Sequence, residues 1–163
     1  MPAGATYEPI ATSTFTAAST VDFTSISGSY TDLRIVFTAI GSTTNYQRIR
    51  FNSDTGTNYS RTLLYGDGSA AGSSRTTNDD YIRVYYDTLS TTLPSVYIHD
   101  IFSYAGSTYK TMLSTVASDK NGSGSVARCV NLWRSTSAIT SISIYPSTGT
   151  ITGTATLYGI TAA

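Results

Sequence analysis

Hydrophobic and polar positions alternate along most of this chain, and turn residues separate the alternating runs. In the segment DLRIVFTAI, Leu33, Ile35 and Phe37 fall on one side of an extended chain, with the intervening residues on the other. In QRIRFN, Ile49 and Phe51 alternate with two arginines in the same way. A period of two indicates half-buried β-strands, and no segment shows the 3.6-residue period of an amphipathic helix.

The regular recurrence of these runs predicts the fold class. We expect an all-β, single-domain antiparallel β-sandwich of jelly-roll type over residues 1–163, with about nine to ten strands and no substantial helix. Residues 1–10 are predicted to form an extended N-terminal arm. Residues 66–80 are rich in Gly and Ser and have no periodicity, so we expect an exposed, mobile loop there.

Two connections are predicted from local sequence. The runs QRIRFN and YSRTLLY flank the polar segment SDTGTN, which favours a β-hairpin between them. Asn121-Gly122 is a strong signal for a tight hairpin turn.

Composition explains how the surface is made polar. Only 12% of residues are charged and the net charge is +0, but 29 Thr and 24 Ser supply hydroxyl groups. Thr suits the outer face of a half-buried sheet. A neutral chain with scattered arginines argues against a nucleic-acid partner, and the absence of a long apolar run or a signal peptide argues against a membrane partner. The single cysteine, Cys129, has no cysteine partner within the chain.

Candidate catalytic groups are few. Residues 54–56 read Asp-Thr-Gly, the triplet of aspartic proteases, but polar residues flank it as in a solvated turn. The only histidine, His99, lies in mid-strand, and alternation points the neighbouring Asp100 to the other face, so we expect a half-exposed strand histidine and no catalytic dyad. The clustered carboxylates Asp79 and Asp80 lie at a predicted loop end. We therefore expect no enzyme and no catalytic residues.

No cofactor or metal site is expected. One histidine and one cysteine cannot make a zinc site. Asp119, Asn121 and Ser123 imitate the start of a calcium loop but lack its closing glutamate, so a simple turn is favoured.

Tyrosine is the most distinctive binding residue, with 13 copies. An aromatic body with a polar tip suits protein interfaces and sugar stacking. The interface candidates are Tyr81, Tyr85, Tyr97 and Trp133. Trp133, the only tryptophan, shares one strand face with Cys129, and both a core and an interface position are open to it.

The N-terminal half carries a longer pattern. It consists of an opening YEPIAT, a strand ending in FxxI, then GSYTDLRIV, RFNSDTGTNYS and a YGDGS segment. This pattern resembles a type of small virion protein encoded by tailed bacteriophages. The resemblance covers roughly the first half of the chain, and the rest only in strand rhythm. It implies a β-sandwich head module, makes residues 54–56 a structural hairpin, and brings no catalytic residues.

The resemblance leaves two roles open. The first is a capsid cement or decoration protein, made in the host cytoplasm, located on the virion surface, trimeric, and bound to the major capsid protein. The second is a tail-fibre or receptor-binding module that binds carbohydrate. The first is favoured because the first predicted strand follows Met1 almost at once, which leaves little chain for a fibre anchor or shaft. An enzyme that degrades polysaccharide is a third, less favoured alternative, because it needs a carboxylate pair.

Overall fold

The computed structural model describes residues 6–161, apart from the side chains of residues 85–87. Within this range the chain is all-β and contains no helix. Its strands, in chain order, are β1 (Tyr7–Ala18), β2 (Val21–Phe23), β3 (Asp32–Gly41), β4 (Asn45–Phe51), β5 (Tyr59–Gly66), β6 (Ala71–Asp79), β7 (Ile82–Leu89), β8 (Ser95–Phe102), β9 (Lys110–Asp119), β10 (Gly124–Trp133), β11 (Ile142–Pro146) and β12 (Ile151–Ile160).

The strands form two antiparallel sheets of unequal width. The larger sheet has eight strands in the order β1-β12-β3-β8-β9-β10-β5-β6, and the smaller has four in the order β2-β11-β4-β7. Their inner faces contribute to one buried hydrophobic core. The predicted all-β sandwich is thus confirmed, whereas the division into eight and four leaves the predicted jelly-roll connectivity unconfirmed.

The alternation in the sequence corresponds to burial. Leu33, Ile35 and Phe37 on β3 and Ile49 and Phe51 on β4 are all fully buried. The residues between them are partly exposed. On these two strands, one from each sheet, the hydrophobic positions face the core and the intervening positions lie on the outer face.

The predicted hairpin between the fourth and fifth strands is wrong. β4 pairs with β11 and β7 in the smaller sheet, whereas β5 pairs with β10 and β6 in the larger sheet. Residues 52–58 therefore form an arch that carries the chain from one sheet to the other. Local pattern could not show this, because a hairpin and an arch both join two alternating strands through a polar segment.

The predicted exposed loop at residues 66–80 is corrected in part. Only a short turn follows β5, and Ala71–Asp79 is strand β6, which pairs with β5 at the edge of the larger sheet. The segment is indeed exposed, since no β6 side chain is buried. A strand that nothing covers has no need for hydrophobic alternation, so its sequence resembles that of a loop.

The predicted N-terminal arm is also part of a sheet. Residues 7–10 begin β1, which pairs with β12 at the opposite edge of the larger sheet. Residues 1–5 lie outside the described residues. β1 and β6 are the two edge strands of the larger sheet, and the alternation pattern predicted neither of them.

The Asn-Gly turn is confirmed. Asn121 and Gly122 lie in the turn between β9 and β10. The pairing of these two strands begins next to the turn, where Gly124 lies opposite Asp119. The φ angles of Asn121 and Gly122 are 54° and 111°. Both are positive, as the tight turn favoured by the right-handed twist of hairpins requires.

Candidate functional site

The outer face of the larger sheet exposes apolar side chains. On β5 and β10, Leu64 is 61% exposed, Val126 is 58% exposed and Val130 is 51% exposed. Phe102 and Val96 extend the apolar surface onto β8. We call this surface the apolar face.

The apolar face includes one arginine, Arg128, which lies opposite Leu64 and between Val126 and Val130 along β10. Arg34 on β3 and Asp100 on β8 neutralise each other in an ion pair of 2.5 Å between Nε and Oδ1. A shallow cavity of about 280 Å³ lies over β5 and β10, and Leu64, Val126 and Ala71 are among its lining residues. Exposed apolar side chains next to one another on a flat sheet are typical of a surface that another protein covers.

The outer face of the smaller sheet has a different chemistry. Tyr46, Arg48 and Arg50 point outward from β4, and Arg83 and Tyr145 project from the neighbouring strands. Together with Tyr81, directly before β7, these residues form a surface that we call the Arg-Tyr face.

Guanidinium groups stack on aromatic rings across the Arg-Tyr face. The Cζ atom of Arg48 lies 4.3 Å from the centre of the Tyr81 ring and 5.3 Å from that of Tyr46. Arg83 lies 5.2 Å and 5.7 Å from the Tyr46 and Tyr81 rings. Arg50 lies over Tyr145 at 5.4 Å. Each contact places a cation within the range in which it is attracted to the π face of a ring.

Two of these arginines face each other directly. Arg48 and Arg83 are register partners on β4 and β7. Like charges at such positions are destabilising. Arg48 donates to the Tyr46 hydroxyl at 3.0 Å and Arg83 to that of Tyr81 at 2.9 Å, so the tyrosines offset part of this repulsion. None of the described carboxylates lies within 4 Å of either guanidinium.

The charges of this face change the acidity of Tyr46. The hydrogen bond from Arg48, assisted by the positive charge of Arg83, lowers the pKa of the Tyr46 hydroxyl despite its partial burial. Stabilisation of the phenolate is the response expected near two uncompensated cations. Tyr46 thus reports the positive potential of the Arg-Tyr face.

The predicted interface residues have different environments. Tyr81 belongs to the Arg-Tyr face. Tyr97 and Trp133 are wrong as interface residues, because they are 0% and 2% exposed and pack in the core. Both lie at inward positions of the larger sheet, where alternation buries large side chains. The side chain of Tyr85 lies outside the described residues.

Trp133 instead connects the core to the arch between the sheets. Its indole Nε1 donates to the Asp54 carboxylate at 2.7 Å, and that carboxylate also accepts from Asn58 Nδ2 at 2.9 Å and the Gly56 amide at 2.8 Å. Burial acts to raise the pKa of Asp54, but these donors together hold it below its usual value. All three bonds are within the protein, so the Asp-Thr-Gly triplet is explained by the geometry of the arch.

The single histidine is buried, which corrects the prediction of a half-exposed side chain. His99 is 0% exposed, with Nδ1 2.9 Å from Ser114 Oγ and Nε2 2.9 Å from Gln47 Oε1. Burial lowers the pKa of His99 to about 3, so the ring is neutral at pH 7. Because Gln47 Oε1 can only accept, the ring proton is on Nε2. Asp100 points to the opposite face, as predicted.

This network lies between the sheets and is closed to solvent. Gln47 comes from the smaller sheet, and His99, Ser114 and Asn131 come from the larger. Asn131 completes it by donating from Nδ2 to Ser114 Oγ at 3.1 Å. All four residues are at least 98% buried, so a substrate cannot reach the imidazole or the hydroxyl, and the network acts as a polar contact between the sheets.

Comparison with known proteins adds no assignment. No protein-family model, curated protein or solved structure matches the chain. Among the described residues, no three His, Cys, Asp or Glu side chains converge as metal ligands. The same residues include no helix that could span a membrane. Candidate function therefore rests on the apolar face and the Arg-Tyr face.

Proposed function

We propose that this chain is a non-enzymatic structural protein of a tailed bacteriophage virion. Its role in this proposal is that of a capsid cement or decoration protein. It binds the assembled lattice of the major capsid protein at the virion surface and stabilises the head. The partner covers the apolar face.

The observation that carries the proposal is the exposure of Leu64, Val126 and Val130 around Arg128 on the outer face of a broad sheet. Eight strands cover about 38 Å at the usual strand spacing, and strands about 30 Å long give a face of about 1,100 Å². A standard protein interface needs about 800 Å² from each partner. The whole outer face of the larger sheet, of which the apolar face is a part, is therefore large enough to dock onto a protein lattice.

The bacteriophage part of the proposal is supported by the sequence pattern of the N-terminal half. The pattern RFNSDTGTNYS falls on β4, the arch and the start of β5. Within this pattern, Asp54 accepts hydrogen bonds from Gly56 and Asn58 of the arch and from Trp133 of the core, and these bonds hold the arch in place.

A trimer is part of the same proposal. Identical subunits around a symmetry axis of a shell make many weak contacts that become strong together. Light scattering on the purified chain gives its oligomeric state directly: three times 17.3 kDa is the expected mass.

Quantitative mass spectrometry of purified virions tests the assignment. A cement protein is present at a copy number close to that of the major capsid protein. A handful of copies per particle would contradict the proposal and favour the second candidate, a tail-fibre or receptor-binding module that binds carbohydrate.

That second candidate is favoured by a specific feature, the Arg-Tyr face, because arginine and tyrosine also suit polar ligands. Adsorption of virions to host cells distinguishes the two roles. Virions that lack a cement protein adsorb normally, whereas virions that lack a receptor-binding module do not.

A further inference from the structure

Among the described side chains, two arginines of the Arg-Tyr face have no carboxylate within 4 Å. Of its three arginines, Arg50 is paired with Asp80, with 2.5 Å between Nη2 and Oδ2. Arg48 and Arg83 are opposed in register, and among the described side chains each donates to a tyrosine hydroxyl. In a chain of net charge +0 this is a local excess of positive charge. An oxyanion placed between the two guanidiniums would relieve their repulsion.

The tyrosine contacts hold these arginines in place for such a ligand. Contacts with the rings of Tyr46 and Tyr81 restrict the motion of both guanidiniums, so less side-chain entropy is lost when a ligand binds. A planar guanidinium matches the geometry of a carboxylate. The site is therefore preorganised for an anionic group.

A shallow cavity adjoins this arginine pair. It has a volume of about 340 Å³ and is lined by Arg50, Tyr145 and the hydroxyl-bearing side chains Thr20, Ser53, Thr55 and Ser143. Tyr145 is the register partner of Arg48, so the cavity and the arginine pair are contiguous. Hydroxyl groups that donate and accept, beside an aromatic ring, match the hydroxyls and the apolar ring of a sugar.

We propose that the Arg-Tyr face and this cavity together bind an acidic oligosaccharide. The carboxylate of one sugar unit lies at Arg48 and Arg83, and the hydroxyls of the next unit occupy the cavity. The site faces away from the apolar face, so it does not depend on the proposed capsid contact. An acidic peptide would satisfy the arginines but would leave the hydroxyl-lined cavity unused.

Calorimetric titration at low salt tests the site with three probes: trigalacturonate, the neutral galactose trimer and inorganic phosphate. We expect trigalacturonate to bind at least tenfold more tightly than either of the others. Equal affinity for phosphate would show a simple oxyanion site and overturn the saccharide assignment. Equal affinity for the neutral trimer would show that the arginine pair does not contribute to binding. If none of the probes binds, the whole proposal is overturned.

Matched variants locate the binding. Arg83→Gln and, separately, Arg48→Gln are expected to weaken trigalacturonate binding at least tenfold. Arg128→Gln makes the same charge change on the outer face of the larger sheet, where Arg128 contacts Thr115, and should leave binding unchanged. Unfolding curves verify that each variant is folded. An equal loss in all three variants would indicate nonspecific charge attraction and would contradict the site.

The cavity has its own test. Ser143→Val removes a lining hydroxyl without changing charge, so it should weaken trigalacturonate binding and leave binding of monomeric galacturonate unchanged. Tri-glutamate serves as the competing ligand class: if it binds more tightly than trigalacturonate, the site recognises acidic peptide and the proposal is wrong. Virion copy number plays no part in these measurements, so the capsid proposal and this one fail independently.

Discussion

The two outer faces of this sandwich differ more than the inner faces do. Inside, both sheets contribute aliphatic and aromatic residues to one hydrophobic core. Outside, the larger sheet exposes Leu64, Val126 and Val130, whereas the smaller one exposes stacked arginines and tyrosines. The core requirement fixes the inward residues of any sandwich, so the outward residues are free to differ and carry the function.

The comparison also explains the neutral charge of the chain. A net charge of +0 conceals an Arg-Tyr face with an excess of cations and an apolar face whose main ion pair, Arg34 with Asp100, cancels itself. Summed charge describes long-range steering by the whole molecule. The local distribution decides which ligand each face can take.

Protonating His99 should disturb both faces at once, because its network joins the sheets that carry them. The pKa of His99 is about 3 in the folded chain and 6.5 when exposed, so between these values the unfolded chain binds the extra proton. The contribution of the neutral ring is complete above pH 6.5 and decreases as the pH falls toward 3. Between pH 7 and pH 4 the loss amounts to about 3 kcal/mol, and urea unfolding at a series of pH values measures it.

The window from pH 6.5 to 5.5 isolates this effect, because carboxyl groups titrate mainly below it. The variant His99→Gln has no imidazole and should show a flat stability profile there. If the original chain is equally flat in that window, the buried neutral histidine is ruled out.

Removing the Asp54 carboxylate should weaken the arch that connects the two sheets. In Asp54→Ala the buried Trp133 Nε1 loses its acceptor. An unsatisfied buried donor costs about 2 kcal/mol. Asp22→Ala is the matched control, because Asp22 is exposed and accepts from the nearby Thr20. Equal losses of unfolding free energy in the two variants would contradict the structural role of Asp54.

A charge on the apolar face tests its role as the docking surface. Val130→Lys should leave stability within about 0.5 kcal/mol, because the side chain is already half exposed. Binding to virions that lack the protein should fall at least tenfold, as expected when a charge is buried in an interface. The same substitution of Thr44, which is exposed between β3 and β4, is the control. Undiminished binding of Val130→Lys would place the docking surface elsewhere.

The smallest effect concerns the potential of the Arg-Tyr face. In Arg48→Gln the pKa of Tyr46 should rise toward its ordinary value of 10.0, because its main hydrogen-bond donor loses its charge. Stability should change by no more than about 0.5 kcal/mol, since a cation-π contact and a like-charge repulsion are lost together. Nuclear magnetic resonance of the Tyr46 ring follows the titration, and an unchanged pKa would show that Arg48 does not set it.

Sequence reasoning identified the strands that face the core and failed at those that do not. Alternation predicted β3 and β4 because a covered strand must hide every second side chain. It missed β1 and β6, the edges of the larger sheet, where β6 buries no side chain at all. At an uncovered edge, backbone pairing with one neighbour forms the strand, and this leaves no periodic trace in the sequence.

The candidate sites show the same limit. The alternation of Arg48 and Arg50 with Ile49 correctly indicated that the arginines point outward. It could not show that Arg83 lies opposite Arg48, because the two residues belong to strands separated by β5 and β6. Tyr97 and Trp133 were proposed as interface residues by their type alone, although inward alternation was the signal that could have assigned them to the core.

An all-β sandwich, the identity of most core-facing residues and the Asn121-Gly122 turn can be predicted from the sequence, because they follow from local pattern and local backbone geometry. Tertiary contacts are needed to establish that residues 52–58 cross between sheets, that His99 is buried against Gln47, and that the arginines gather on one face. Sheet membership and register arise from pairing between distant segments, and alternation along one strand carries no information about its neighbour.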